Sequence, residues 1–250
     1  MTSSDIWQPL HDELARWRDA GLTAELWLRD DDAFEPSARL DRLIGLTAEF
    51  SVPVALAIIP ADARPGLADR ISGEAHIHPV VHGWSHANHA PSWQKKQELG
   101  LHRPRATVLN DLKAGFARLS ELHGERLVPI LVPPWNRIDP GLLDDLPALG
   151  FRALSVFGNN LQSRPGLSIV NTHVDIIDWH AGKACHDHTW LVASLAKELA
   201  AARASGGRPV GVLSHHLVSE DEAFRFLRDL FTAATTERVS WRAPGELIKT

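Results

Sequence analysis

Val52-Pro53-Val54-Ala55-Leu56-Ala57-Ile58-Ile59-Pro60 is the most apolar stretch of the chain. It is strand length, well short of the roughly 18 apolar residues of a membrane span, and an unbroken apolar run bounded by prolines reads as a parallel strand buried on both faces. Such a strand needs helices over it, and the flanking sequence supplies them. Upstream, Pro36 and Ser37 open a helix to about Phe50 with Leu40, Leu43, Ile44 and Phe50 inward; downstream, Ala61 to Ile71 is compatible with another. Farther out the alternation continues. Strands are predicted at Ala24–Arg29, His76–Val81, Leu127–Val132, Ala153–Phe157, Ile169–Ile177 and Val210–Leu213, with a further short one at Val239–Trp241. Helices are predicted at Ile6–Ala20, Arg105–Leu122 closed by Gly124, Leu142–Leu149 ended by Gly150, Trp190–Ala202 and Glu220–Ala234. With helices in most gaps and no linker-like break, the expectation is one α/β domain over residues 1–250, a parallel sheet closed into a barrel, with 1–22 as an N-terminal helical extension.

Composition narrows the function classes. Of 250 residues 44% are hydrophobic and 23% charged, an ordinary globular mix. Twenty-six Lys and Arg against 31 Asp and Glu give a formal charge of −5, which argues against a nucleic-acid or anionic-membrane partner, since either needs a positive field. The single cysteine, Cys185, makes no intrachain disulfide. MTSSDIWQPLHDELARW lacks the basic and then apolar regions of a signal peptide, so a soluble cytoplasmic protein is expected. The 14 histidines are uneven, with six between His76 and His102 and four between His173 and His188, which directs attention to metal chemistry.

Dense polar residues follow five of the predicted strands: Asp30-Asp31-Asp32, His82 with His86, Pro134-Trp135-Asn136-Arg137, Asp175 with Asp178, and His215-His216. In a parallel barrel the carboxyl ends of the strands converge, so these segments should share one site. Three successive carboxylates repel one another unless a cation or a shared proton compensates. His82 and His86, four apart, fall on one face of a helical turn, and two imidazoles with one carboxylate match an open catalytic zinc triad. Gly83 stands where a zincin of the HExxH type carries its Glu, which argues against that class. His76, His78 and His89 read as structural. Trp135 offers a groove wall fixed by prolines, Asp175 and Asp178 each need a partner such as a histidine, and only one of His215 and His216 can face the mouth of the barrel.

In order and spacing the five segments resemble the motifs of the polysaccharide deacetylase family, the NodB-homology domain of carbohydrate esterase family 4. Its TFDDG looks like Leu28-Arg29-Asp30-Asp31-Asp32, its HTxxH like His82 to His86, its RPPY like Val132-Pro133-Pro134-Trp135, its DxxDW like Asp175 to Trp179 and its LxH like Leu213-Ser214-His215. The resemblance implies a distorted, NodB-like (β/α)7-8 barrel that holds one divalent metal and hydrolyses an N-acetyl or related acyl group. Carried over by position, Asp31, His82 and His86 are the metal ligands, Asp30 the general base and His215 the general acid. Asp175 orients His215, with Asp178 the other candidate, and Pro134, Trp135, Trp179 and Leu213 line the substrate. Zinc suits the donor set; nickel, cobalt or manganese could occupy it too. Without an export signal, a carbohydrate or a small intracellular amide is the expected substrate.

The chain departs from the motifs in three places. Val132 replaces the arginine that pairs with the base, Gly83 replaces Ser or Thr, and Asp32 replaces a glycine. On a strand Arg29 should point away from Asp30, so Arg137 is the expected substitute for the arginine. The lost arginine and the tryptophans Trp84, Trp135 and Trp179 beside the motifs motivate the alternative of a non-catalytic, carbohydrate-binding descendant.

Overall fold

The computed structural model describes residues 6–159, 161–237 and 239–249. The N-terminal helix α1 (Gln8–Asp19) precedes β1 (Glu25–Ala33), α2 (Ala38–Glu49), β2 (Val54–Ile58), α3 (Pro65–Ile71) and β3 (Ile77–His82). A long irregular stretch leads to α4 (Arg105–His123), β4 (Ile130–Val132), β5 (Ala153–Leu154), β6 (Ser168–Ile169) and β7 (Thr172–Asp175). The antiparallel pair β8 (Ile177–Asp178) and β9 (Ala184–Cys185) is followed by α5 (His188–Ala204), β10 (Val210–Ser214), α6 (Asp221–Thr236) and β11 (Ser240–Trp241).

The strands form one parallel sheet in the order β6-β5-β4-β3-β2-β1-β10-β7, with β11 also on β1. Its ends meet where Phe157, just past β5, bridges Thr172 of β7, so the sheet curls into a distorted barrel as expected. The single strand foreseen over Ile169–Ile177 is instead three pieces, β6, β7 and β8, and the strand foreseen to Phe157 stops at Leu154. Of the segment foreseen as an N-terminal extension, residues 1–5 lie outside the described residues. The rest packs as α1 on α5, with Leu10, Leu14 and Trp17 in the core and Arg203 bonded to buried Glu13 at 2.8 Å. Among the described residues no helix is long and apolar enough to cross a membrane.

Two-residue periodicity divides the core. Leu26 and Leu28 of β1 face the helices, as do Val54, Leu56 and Ile58 of β2. Trp27 faces the barrel axis with Ala55, Ala57, Val80, Ile130, Val132, Ala153 and Val170. The alanines make room on the axis for Trp27 and for Arg29, both fully buried. Gly211 belongs to the same layer: a Cβ there would lie 2.5 Å from Trp27 Nε1 and 2.7 Å from the Asn171 carbonyl oxygen.

Two histidines, His123 buried and His173 half-buried, set an acid limit on the fold. Burial, reinforced by Arg126, pushes His123 down to about 4, and burial with Arg208 pushes His173 down to about 3. Both are neutral in the folded chain at neutral pH and regain a pKa near 6.5 on unfolding, so the unfolded chain binds more protons as pH falls below 6.5. Stability is therefore full above that value and falls below it, by about 2 kcal/mol from His123 alone at about pH 5. Urea titrations at neutral pH and at about pH 5 measure the loss. It should shrink by that amount in His123→Gln; an equal loss in both chains would show that His123 does not carry it.

Candidate active site

The three successive aspartates have three different surroundings. Asp30 points to the helix side and is fully buried. Its Oδ2 accepts from Ser214 Oγ at 2.7 Å and from the His216 N–H at 2.9 Å, and its Oδ1 accepts a short hydrogen bond from His216 Nδ1. Asp31, one residue on, turns to the axis. Arg29 lies on the same face two residues earlier, and its fork meets Asp31 twice, Nε to Oδ1 and Nη2 to Oδ2, both at 2.9 Å. The remaining donors of that guanidinium go to Ser155 Oγ (2.7 Å), the Ser155 carbonyl (3.2 Å) and Asn136 Oδ1 (2.6 Å).

Asp32 breaks the alternation. Its φ is +74° and the β1–β2 register shifts between Asp30 and Ala33, a bulge that swings a second carboxylate toward the mouth. Asp32 Oδ1 lies 3.0 Å from His82 Nε2 and 3.3 Å from His86 Nε2. Among the described residues this is the only set of three or more His, Cys, Asp or Glu whose donor atoms lie close enough together to hold a metal ion, all within 4.8 Å of one another. His82 ends β3, fully buried, and its Nδ1 is 2.9 Å from the Val132 carbonyl. A carbonyl only accepts, so Nδ1 carries a proton, and Nε2 faces the Asp32 carboxylate. His86 sits in irregular backbone at φ +55°, not on the helical turn foreseen from the spacing, with its ring against Trp135 at 4.4 Å.

The cluster is electrostatically anionic. Burial alone would raise the Asp32 carboxyl, but the His82 hydrogen bond and the charges of His82, His215 and His86 hold it well below the usual carboxylate range. Burial alone would lower His82, yet the Asp32 hydrogen bond, the charges of Asp31 and Asp32 and the Val132 carbonyl hold it above its ordinary value. A divalent ion among the same three donors would compensate the Asp32 carboxylate.

Across the mouth, His215 Nε2 is 3.9 Å from Asp31 Oδ2, and its Nδ1 is 4.0 Å from Asp175 Oδ1. The Trp179 ring packs edge-on to His215 at 4.7 Å and donates its Nε1–H to Asp175 Oδ2 at 2.9 Å. Burial pushes the Asp175 carboxyl up, against the pull of His215, the Ile177 N–H and Trp179.

No family model matches the chain and no curated protein does. Solved structures do. A Mycobacterium smegmatis protein assigned as a polysaccharide deacetylase superposes with a TM-score of 0.67 at 19% identity, over 90% of this chain and 88% of that one. The chain has the fold of the polysaccharide deacetylases. A peptidoglycan N-acetylglucosamine deacetylase solved with 4-naphthalen-1-yl-N-oxidanyl-benzamide follows at TM-score 0.60 and 17% identity, over 91% and 89% of the two chains. A family 4 acetyl xylan esterase from Clostridium thermocellum, solved with cobalt, matches at 0.51 and 14%, over 89% of each. At these identities the likeness is one of fold.

Within this deacetylase fold the expected segments meet at one end of the barrel, but several of their residues sit elsewhere than foreseen. The carboxylate beside His82 and His86 is that of Asp32, not Asp31, because the bulge redirects it. The carboxylate held by an arginine and facing His215 is that of Asp31, whereas Asp30 is sealed against His216 on the helix side. The arginine is Arg29; Arg137 instead donates to the Lys96 carbonyl at 2.9 Å on the exposed rim. Asp178 is turned outward, accepting from the His180 and Ala181 N–H groups, which leaves Asp175 as the carboxylate near His215. Pro134 is buried under the mouth, Trp135 and Trp179 reach its surface, and Leu213 is wholly buried in β10. Arg29 was set aside, Asn136 was noted without a role, and Ser155 was missed. Strand alternation could have assigned Arg29, since i and i+2 share a face; nothing local marks Ser155 or points Asn136 at Arg29. Asp32, His86, Trp135 and Asn136 all have positive φ and all line this mouth.

Proposed function

We propose that the chain is a metal-dependent hydrolase that removes an N-acetyl or related acyl group from a carbohydrate or a small amide. The observation that carries this reading is the arrangement of Asp31, gripped by Arg29, opposite His215, with the donor set of Asp32, His82 and His86 beside them. Those three residues hold one divalent ion, zinc being suited to two imidazoles and a carboxylate, with nickel, cobalt and manganese as competitors. A bound ion supplies Lewis acidity toward the acyl carbonyl and a lowered pKa for water.

The chain's own groups do the proton work. Asp31 takes the proton of the attacking water and is kept in place by Arg29, through the Nη2 hydrogen bond to Oδ2 and the ion-pair contact of Nε with Oδ1. Collapse of the tetrahedral adduct expels an amine only if that amine leaves protonated. His215 Nε2 faces the mouth and donates that proton, while Asp175, 4.0 Å from Nδ1, orients the ring. Trp135 and Trp179 offer flat walls for a sugar ring. The binding-only alternative drew on the missing motif arginine and on Trp84, Trp135 and Trp179; Arg29 removes the first of these motives. The charge balance argues against nucleic acid or an anionic membrane as partner.

The zinc-loaded chain, incubated with N-acetylglucosamine oligomers, small N-acetyl amides and acetylated xylan, should release acetate at a rate that His215→Ala lowers by about 10² or more. Stoichiometric zinc without acetate release from any of these would overturn the hydrolase reading in favour of a binding protein.

A further inference from the structure

The stretch from Gly83 to Ala87, which carries His86, belongs to neither helix nor strand, so its amide groups have no ladder partners. A side chain distant in sequence satisfies them. Glu98 is fully buried and lies in the irregular stretch between β3 and α4. Its Oε2 accepts from the Trp84 N–H at 3.0 Å, and its Oε1 from the Ser85 N–H at 2.8 Å, Ser85 Oγ at 3.1 Å and the Ala87 N–H at 3.4 Å. Among the described residues no lysine, arginine or histidine forms an ion pair with it, so this buried carboxylate is compensated by loop amides and one hydroxyl. The fit is close: a Cβ on Gly83 would lie 2.2 Å from Glu98 Oε2 and 2.5 Å from Pro134 Cδ. Position 83 therefore takes glycine both for its φ of +58° and for the approach of Glu98.

Among the described residues, every side-chain hydrogen bond of this buried carboxylate goes to one short loop, so its desolvation is offset by fixing that loop. The loop's only member in the donor cluster is His86, held at a positive φ that a non-glycine residue adopts against its own preference. We propose that Glu98 is a positioning residue for the ion site: its carboxylate clamps the 83–87 loop in the one shape that aims His86 at Asp32 and His82. The inference rests on the reading of that cluster as an ion site, and it adds a requirement from outside the cluster. Ligand-orienting partners of this kind typically change metal affinity by about 10- to 100-fold.

The test is zinc affinity of the metal-stripped full chain, read by competition with a chromophoric chelator alongside thermal unfolding, for wild type, Glu98→Gln, Glu98→Asp and His82→Ala. Glu98→Gln loses acceptor capacity at nearly constant shape and should bind zinc about 10- to 100-fold more weakly while unfolding as one cooperative transition. Glu98→Asp keeps the charge but withdraws it by one methylene, and its affinity should fall between the two. Wild-type zinc affinity in Glu98→Gln, with zinc lost in His82→Ala, overturns the proposal and leaves the ion site standing. Equal affinity in wild type and His82→Ala overturns both. If Glu98→Gln does not fold, Glu98→Asp decides: weakened binding supports the clamp, and unchanged binding refutes it.

Discussion

Asp31→Asn should lower turnover by about 10² to 10⁴ while leaving the fold and bound zinc intact, the range general-base catalysis ordinarily contributes. The neighbouring substitution should behave in the opposite way. Asp30→Asn removes one member of a fully buried pair with His216, and breaking such a pair costs about 3–5 kcal/mol because the partner is left unsatisfied. Its loss therefore appears in the denaturation midpoint, with turnover per folded molecule close to wild type. Together kcat and the urea midpoint separate the two residues. An Asp31→Asn chain with full turnover, or an Asp30→Asn chain that is stable but inactive, would return the base to the position the motif alignment suggested.

Asp32→Ala should abolish stoichiometric zinc, measured by elemental analysis after mild chelation, and His82→Ala should do the same. Each removes one of only three donors, so the loss should exceed the roughly 10- to 100-fold typical of an orienting partner. Asp31→Ala is the informative contrast. Its carboxylate belongs to Arg29, so that chain should keep its zinc although it turns over little. Zinc retained by Asp32→Ala and lost by Asp31→Ala would mean that the bulge at Asp32 does not set the ligand.

Much of this was readable before the structure, and the failures have separate physical causes. The apolar runs at Val54–Ile58 and Val210–Ser214 are strands because nothing else buries such residues on both faces. The five polar segments follow strands, so their convergence follows from parallel topology. His215 and His216 divide as strict alternation requires, one to the mouth and one to Asp30. The carboxylates beside the histidines and beside Arg29 lie one position later than the motif alignment places them, because that alignment treats the strand as regular whereas the chain inserts a left-handed residue at Asp32. Aspartate tolerates that conformation better than most residues, yet no neighbouring residue announces it. Arg29 was set aside for pointing away from Asp30. The same parity places it beside Asp31. Glu98 lies 12 residues beyond the nearest ligand, and a contact through an irregular loop leaves no periodicity to read.

The left-handed quartet at the mouth bears on how this sequence can drift. Asp32, His86, Trp135 and Asn136 each forgo on the order of 1 kcal/mol of backbone preference that glycine would recover. Selection for stability alone would erode all four toward glycine, and each such change would delete a ligand, a groove wall or a support of Arg29. The mouth of the barrel is thus where foldability and chemistry pull in opposite directions, and a lineage released from catalysis should record that release there first.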